Sequence, residues 1–193
     1  MRAHLQRMLF SEDEYFAMEA ASTVKSEFID GAIYAMAGGN EDHALVGLAV
    51  GSTLRTLLGR GPCRAYSSDL RVYSPVVRTY VYPDATVICG PVEKSSKKND
   101  RLSVLNPVVV VEVISEGTED YDRNDKVVIY KAIPSVRDYL IVDPDARTVE
   151  HYARDDADAW RLTTHTEGDV ALVGVPIALP LREIFADLDV RPP

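Results

Sequence analysis

The chain has 193 residues, 46% of them hydrophobic, which is enough for one compact domain with a real core spanning residues 1–193. Its 21 basic and 30 acidic residues leave a formal charge of −9, which argues against a protein that coats nucleic acid through a general positive surface. No run of about 18 apolar residues offers a membrane span, and the opening segment Met1–Arg7 lacks the apolar stretch of a signal peptide.

In chain order, Ser11 followed by Glu14 has capping-box spacing and predicts a short helix over residues 12–20. Asp30-Gly31 between two apolar runs predicts a hairpin. Asn40 can cap a helix running through Leu58, with Glu41 and Asp42 in its favourable first turn and Gly59, Gly61 and Pro62 stopping it. Residues 63–89 read as two strands around a turn near Ser74-Pro75. The polar segment 91–106 carries Lys94, Lys97, Lys98 and Arg101 and reads as an exposed loop. Pro107 opens a strand in which five of the six residues 108–113 are valine and the sixth is Glu112. Thr118 can cap a helix to about Ala132, ended by Pro134. A second hairpin, 137–142 with 148–153, turns across residues 143–146; Trp160–His165 adds a strand, and the tail holds one short helix. The sum is an α/β (α+β) domain, a mixed sheet with helices packed on it.

Cys63 and Cys89 show neither CxxC nor ligand-like spacing. Each lies in or beside an apolar strand, so the favoured reading is two buried thiols in a reducing cytosol, a cytoplasmic protein, with a disulfide as the lesser alternative.

A carboxylate inside a strand is costly unless something pairs with it. Asp84 and Glu112 stand on two such strands, and two acids on neighbouring strands suit a shared hard cation such as Mg²⁺. The competing reading has both acids facing solvent. Glu27, beside the first turn, either reaches the same cluster or is solvated. Helical spacing puts Asp122, Lys126 and Tyr130 on one face. Lys126 is then either a positioned ammonium that stabilises developing charge or half of a surface pair with Asp122. Asp69 follows Ser67-Ser68, and His43 in the first turn of its helix suits a phosphate contact, a cap or a core position. No HExxH pair points to zinc, and there is no GxSxG, phosphate-binding glycine loop or diagnostic Cys/His pair.

Taken in order, Phe28-Ile29-Asp30-Gly31, His43, Tyr82-Pro83-Asp84, Asn106-Pro107, Val111-Glu112-Val113-Ile114-Ser115, Thr118, Tyr121-Asp122, Lys126, Tyr130 and Tyr139-Leu140-Ile141-Val142-Asp143 resemble the Uma-two family, assigned to restriction endonucleases within the PD-(D/E)xK nuclease superfamily. The resemblance implies a restriction-endonuclease-like core, a mixed central sheet flanked by helices, with Mg²⁺ as cofactor and Mn²⁺ as its substitute. Carried over residue by residue, Asp84 is the motif aspartate, Glu112 the motif glutamate and Glu27 an additional acid. The standard motif lysine, two positions after the glutamate, is replaced here by Ile114; the family pattern moves it to the next helix, where Lys126 stands.

The reading that follows is a Mg²⁺-dependent endonuclease hydrolysing phosphodiester bonds of DNA. Asp84 and Glu112 bind metal, Glu27 assists, Lys126 orients or activates water, and Lys94, Lys97 and Lys98 form a local phosphate-gripping patch. The alternatives are a catalytically inactive nuclease-fold module that binds nucleic acid or protein, favoured by the charge of −9 and Ile114, and a metal hydrolase of small phosphodiesters. The apolar hairpin strands of the C-terminal half offer a surface for a twofold homodimer.

Overall fold

The computed structural model describes residues 9–36, 38–100, 102–115 and 117–189. Met1–Arg7 and Arg101 lie outside them. Helix α1 (Glu12–Ala21) starts on the expected capping box: Glu14 N donates to Ser11 Oγ (3.2 Å) and Ser11 N to Glu14 Oε2 (2.7 Å). Strands β1 (Ser26–Ile29) and β2 (Ala32–Ala35) pair through Asp30 and Gly31, both at positive φ (46° and 79°), as a tight two-residue hairpin requires. Helix α2 (Glu41–Leu58) is capped by Asn40 Oδ1, which accepts from His43 N at 2.9 Å, and closes on Gly59 at φ 55°.

Residues 63–89, expected as two strands, hold four: β3 (Cys63–Ser67), β4 (Val72–Ser74), β5 (Thr79–Val81) and β6 (Ala85–Cys89). The inner pair is a short hairpin that joins β1 and β2 in an antiparallel sheet ordered β2-β1-β5-β4. The outer pair joins the main sheet. Strand β7 (Val109–Val113) runs antiparallel to β6 and parallel to β8 (Asp138–Asp143); β9 (Thr148–Arg154) and β10 (Trp160–His165) complete the order β10-β9-β8-β7-β6-β3. The expected helix to Ala132 breaks at Asn124 into α3 (Glu119–Arg123) and α4 (Asp125–Lys131), and Thr118 bonds back to Ser115 instead of capping α3. Beyond it, β11 (Asp169–Ala171) and β12 (Ala178–Pro180), which were not foreseen, precede α5 (Leu181–Ile184).

The valine-rich β7 is buried on both faces, as a central strand must be. Val109, Val111 and Val113 face α2 through Val46, Val50 and Leu54. Val110 and Ile114 face Ile129 and Tyr130 of α4 and Ile133 just after it. A third core gathers Tyr15 and Phe16 of α1 with Phe28, Tyr73 and Tyr80.

Two further expectations fail. Cys63 and Cys89 are not free thiols: they stand directly opposite in the β3–β6 register and are joined as a disulfide, which removes the thiol argument for a reducing compartment. Nor is segment 91–106 simply an exposed loop. It folds back so that Asp100 and Ser103 are buried against Arg71. Among the described residues no helix is long and apolar enough to cross a membrane.

Candidate active site

Glu112 is the polar break in β7, and alternation turns it to the α4 face, where it is 3% exposed. Asp84 belongs to the crossing Tyr82-Pro83-Asp84, which carries the chain from the smaller sheet into the main one. The register Ala85↔Val111, extended one step, sets Asp84 opposite Glu112. At this point β6 no longer supplies a ladder partner to β7, and Asp84 Oδ2 takes its place, accepting from Val113 N at 2.8 Å. The same oxygen lies 3.3 Å from His43 Nε2 at the head of α2. The imidazole packs close to Gly39, where a Cβ would come within 2.3 Å of His43 Cγ.

Glu27 arrives from the smaller sheet. Its Oε1 accepts from Tyr82 N (3.1 Å) and its Oε2 from the Tyr121 hydroxyl (3.2 Å), so the crossing segment and α3 both anchor it. Lys126 comes down from α4. Its Nζ lies 2.8 Å from Glu112 Oε1, 3.0 Å from Asp122 Oδ1 and 3.8 Å from Glu27 Oε1, and the Tyr130 hydroxyl donates to the same Glu112 oxygen. The i,i+4 relation of Asp122 and Lys126 survives the break at Asn124, but not as a surface pair, since the two are 2% and 6% exposed. Asp122 is the residue that spacing alone undervalued; its proximity to Lys126 was visible, its burial was not. Its Oδ1 is buried and meets the Lys126 ammonium as an ion pair.

The structure thus gathers Glu27, Glu112 and Lys126, adds Asp122, and sets Asp84 and His43 alongside. Asp69 is elsewhere, paired at the surface with Lys25. Of the basic loop, Lys97 turns to Glu12 of α1 and lies over the Tyr73 ring, while Lys94 and Lys98 are exposed.

Four carboxylates therefore surround one lysine and one histidine. Burial pushes the Glu112 carboxyl well above the usual range; Asp122, Asp84 and Glu27 add to that push, and only Lys126 opposes it. Burial disfavours the Lys126 ammonium, yet Glu112, Glu27 and Asp122 together hold its pKa well above the ordinary value, so it stays charged. The hydrogen bond to Asp84 raises the pKa of His43 against the effect of burial.

This donor set suits a hard divalent ion. Mg²⁺ takes oxygen ligands and commonly needs only one or two carboxylates, the rest being water and phosphate. Asp84 and Glu112 supply two, and three carboxylates within 4 Å of the single Lys126 ammonium leave a local surplus of acidic groups. Among the described residues no three His, Cys, Asp or Glu side chains converge on one ion-sized point, because the Lys126 ammonium holds the focus. Asp84 also borders a groove of about 820 Å³ between α2 and β3, with His43 at the same end.

Known proteins agree with this architecture. The chain is 31% identical over 179 residues to the Synechocystis protein slr1290, covering 92% of each, and 33% identical over 150 residues to sll1609 of the same organism, covering 78% of this chain and 84% of the relative. A solved structure from Anabaena variabilis, titled a putative nuclease belonging to DUF820, superposes with a TM-score of 0.66 over 86% of this chain and 92% of that one. At 19% identity that likeness carries the fold, a restriction-endonuclease-like mixed sheet with helices. The profile of Uma2, described as "Putative restriction endonuclease", matches residues 12–182, and the chain belongs to that family.

Proposed function

We propose that this protein is a Mg²⁺-dependent nuclease that hydrolyses phosphodiester bonds of DNA. One observation carries the reading: a lysine buried among three carboxylates within 4 Å, beside Asp84, which borders a groove. Crowded titratable groups of like charge beside a cleft support a chemical site over a simple stabilising pair.

In this reading Asp84 and Glu112 hold the ion. When bound, Mg²⁺ supplies a Lewis acid that polarises the phosphoryl group and makes a bound water more acidic. The Val113 N–H fixes one Asp84 oxygen and the Tyr130 hydroxyl fixes one Glu112 oxygen, so neither carboxylate is free to rotate. Lys126 stays protonated and therefore works as a donor, orienting the water and meeting the charge that builds on the phosphoryl oxygens. Glu27 and Asp122 hold that ammonium in place.

The test is cleavage of labelled DNA by purified protein with Mg²⁺ and with chelator. Metal-dependent cutting that disappears in Asp84→Ala and Lys126→Ala is the expected result. Wild-type protein that cuts neither DNA nor RNA with Mg²⁺ or Mn²⁺ overturns the reading and leaves a binding module on a nuclease fold.

A further inference from the structure

We infer, resting on the nuclease reading for what the cluster does, that Arg123 is a positioning residue: it fastens α3 to the β8–β9 hairpin and so sets Tyr121 and Asp122 against Glu27 and Lys126. What holds α3 is a separate matter of packing, and it stands on its own observations.

Helix α3 has five residues, too few to be stable through its own backbone bonds. Apolar packing does not hold it either. Among the described residues, none of Glu119–Arg123 belongs to the three hydrophobic cores, whereas α4 docks on the sheet through Ile129 and Tyr130. Polar contacts therefore set where α3 lies. Two of them point into the site. The Tyr121 hydroxyl donates to Glu27 Oε2 at 3.2 Å, and Asp122 Oδ1 meets the Lys126 ammonium at 3.0 Å. That ammonium also lies 5.1 Å from the centre of the Tyr121 ring. These inward contacts work against a repulsion. Asp122 shares Lys126 with Glu27 and Glu112, so like charge drives it out of the cluster.

Beyond local turns, two side chains among the described residues tie α3 to the frame. The Tyr139 hydroxyl donates to the Asp122 carbonyl at 3.0 Å. Arg123 makes the larger link. Its Nε donates to Glu150 Oε1 at 2.7 Å and its Nη2 to Asp143 Oδ2 at 3.1 Å, while Nη1 pairs with Glu119 inside α3. Asp143 ends β8 and Glu150 lies on β9, paired antiparallel in the central sheet, so the anchor is rigid. A guanidinium is planar, and bonds on several of its edges fix its direction as well as its place. Arg123 follows Asp122 directly and stands two residues after Tyr121, so any shift of the guanidinium passes to both. At 25% side-chain exposure its ion pairs are each worth little to overall stability. Their effect is on where α3 sits.

The experiment removes the fastening from either side, with Arg123→Gln and with Glu150→Ala, neither of which touches the cluster. The Lys126 ammonium is followed by ¹⁵N NMR of lysine side chains, its signal identified as the one absent in Lys126→Met. Hydrolysis of bis(p-nitrophenyl) phosphate with Mn²⁺ is measured alongside. Each variant is expected to melt within about 4 °C of wild type and to shift or broaden the Lys126 signal. Each should lower kcat by about tenfold or more with KM little changed, and the double variant should do no worse than either alone. The result is read from whichever variant stays folded. An unmoved Lys126 signal, an additive loss in the double variant, or loss of folding in both single variants overturns the inference. Wild-type protein that hydrolyses nothing counts against the nuclease reading alone, while the lysine signal still decides the role of Arg123.

Discussion

Arg71, packed under α1, and Lys126, on α4, are both buried cations, 3% and 6% exposed, set in opposite surroundings. Arg71 meets one carboxylate, Asp100 at 2.8 Å, and its remaining donors go to Ser103 Oγ (2.8 Å) and the Tyr15 hydroxyl (3.4 Å). Its guanidinium lies over the rings of Tyr15, Phe16 and Tyr80. Charge is matched one to one, and although burial pushes the Asp100 carboxyl up, bonds from Ser103, Ser95 and Arg71 hold it below the usual value. Lys126 meets three carboxylates within 4 Å, one of which, Glu112, is pushed well above the usual range by burial. A matched pair ties elements together; here it binds segment 91–106 to β4 and α1. A surplus of buried like charge is a local cost to folding that is retained where chemistry uses it.

The largest expected effect comes from breaking the matched pair. Asp100→Asn leaves Arg71 buried without a counter-charge and should lower stability by about 3–5 kcal/mol, read from urea unfolding. Cleavage per folded molecule should not change. On the other side of the comparison, Lys126→Met should slow hydrolysis by about 10²–10³-fold, the range for removing one preorganised donor, with a small change in KM. A similar loss in Asp100→Asn at equal folded fraction would erase the distinction between the regions.

Gly39→Ala tests how tightly the site is held. The added methyl displaces the His43 ring from Asp84, and hydrolysis should fall by about tenfold, roughly 1.4 kcal/mol, with the melting temperature little changed. The most diagnostic variant moves stability and activity in opposite directions. Glu112→Gln removes one charge from the crowded cluster while Asp122 and Glu27 still pair Lys126, so it should stabilise the fold by about 0.5–2 kcal/mol at pH 8 while abolishing activity. The sign follows from a carboxyl whose pKa is raised in the folded state. Its ionised form opposes folding at high pH, and that penalty is relieved as pH falls through the folded value toward the ordinary carboxyl range. The advantage of the glutamine variant should therefore shrink on acidification, measured as melting temperature against pH. The pKa of Lys126 is also raised, which for an ammonium keeps the charge in place, so it adds no slope across this range.

Much of this was legible because it is local. The Ser11 and Asn40 caps, the Asp30-Gly31 turn and the polar break at Glu112 in a valine strand are short-range signals, and each has its expected structural counterpart. What was missed depends on chain folding over distance. Val72–Ser74 and Thr79–Val81 are only three residues each, too short for periodicity to separate them from a turn. The break at Asn124 comes from α3 and α4 each docking its own residues, Asp122 against the cluster and Ile129 against the sheet. Cys63 opposite Cys89 needs the β3–β6 register, and the burial of Asp100 needs Arg71, which stands just before β4. The candidate residues Glu27, Asp84, Glu112 and Lys126 could be named from pattern and resemblance. The charge imbalance around Lys126 could not, because Asp122 counts only once it is known to be inside.

The account rests on surplus buried carboxylate charge serving as a cation site for phosphodiester chemistry. Titration of Mn²⁺ into the protein, with free ion followed by electron paramagnetic resonance, tests this directly. One ion bound per chain, lost in Asp84→Asn and kept in Asp100→Asn at matched folded fraction, is the predicted result. No binding by wild-type protein, or binding that Asp84→Asn leaves intact, would contradict it.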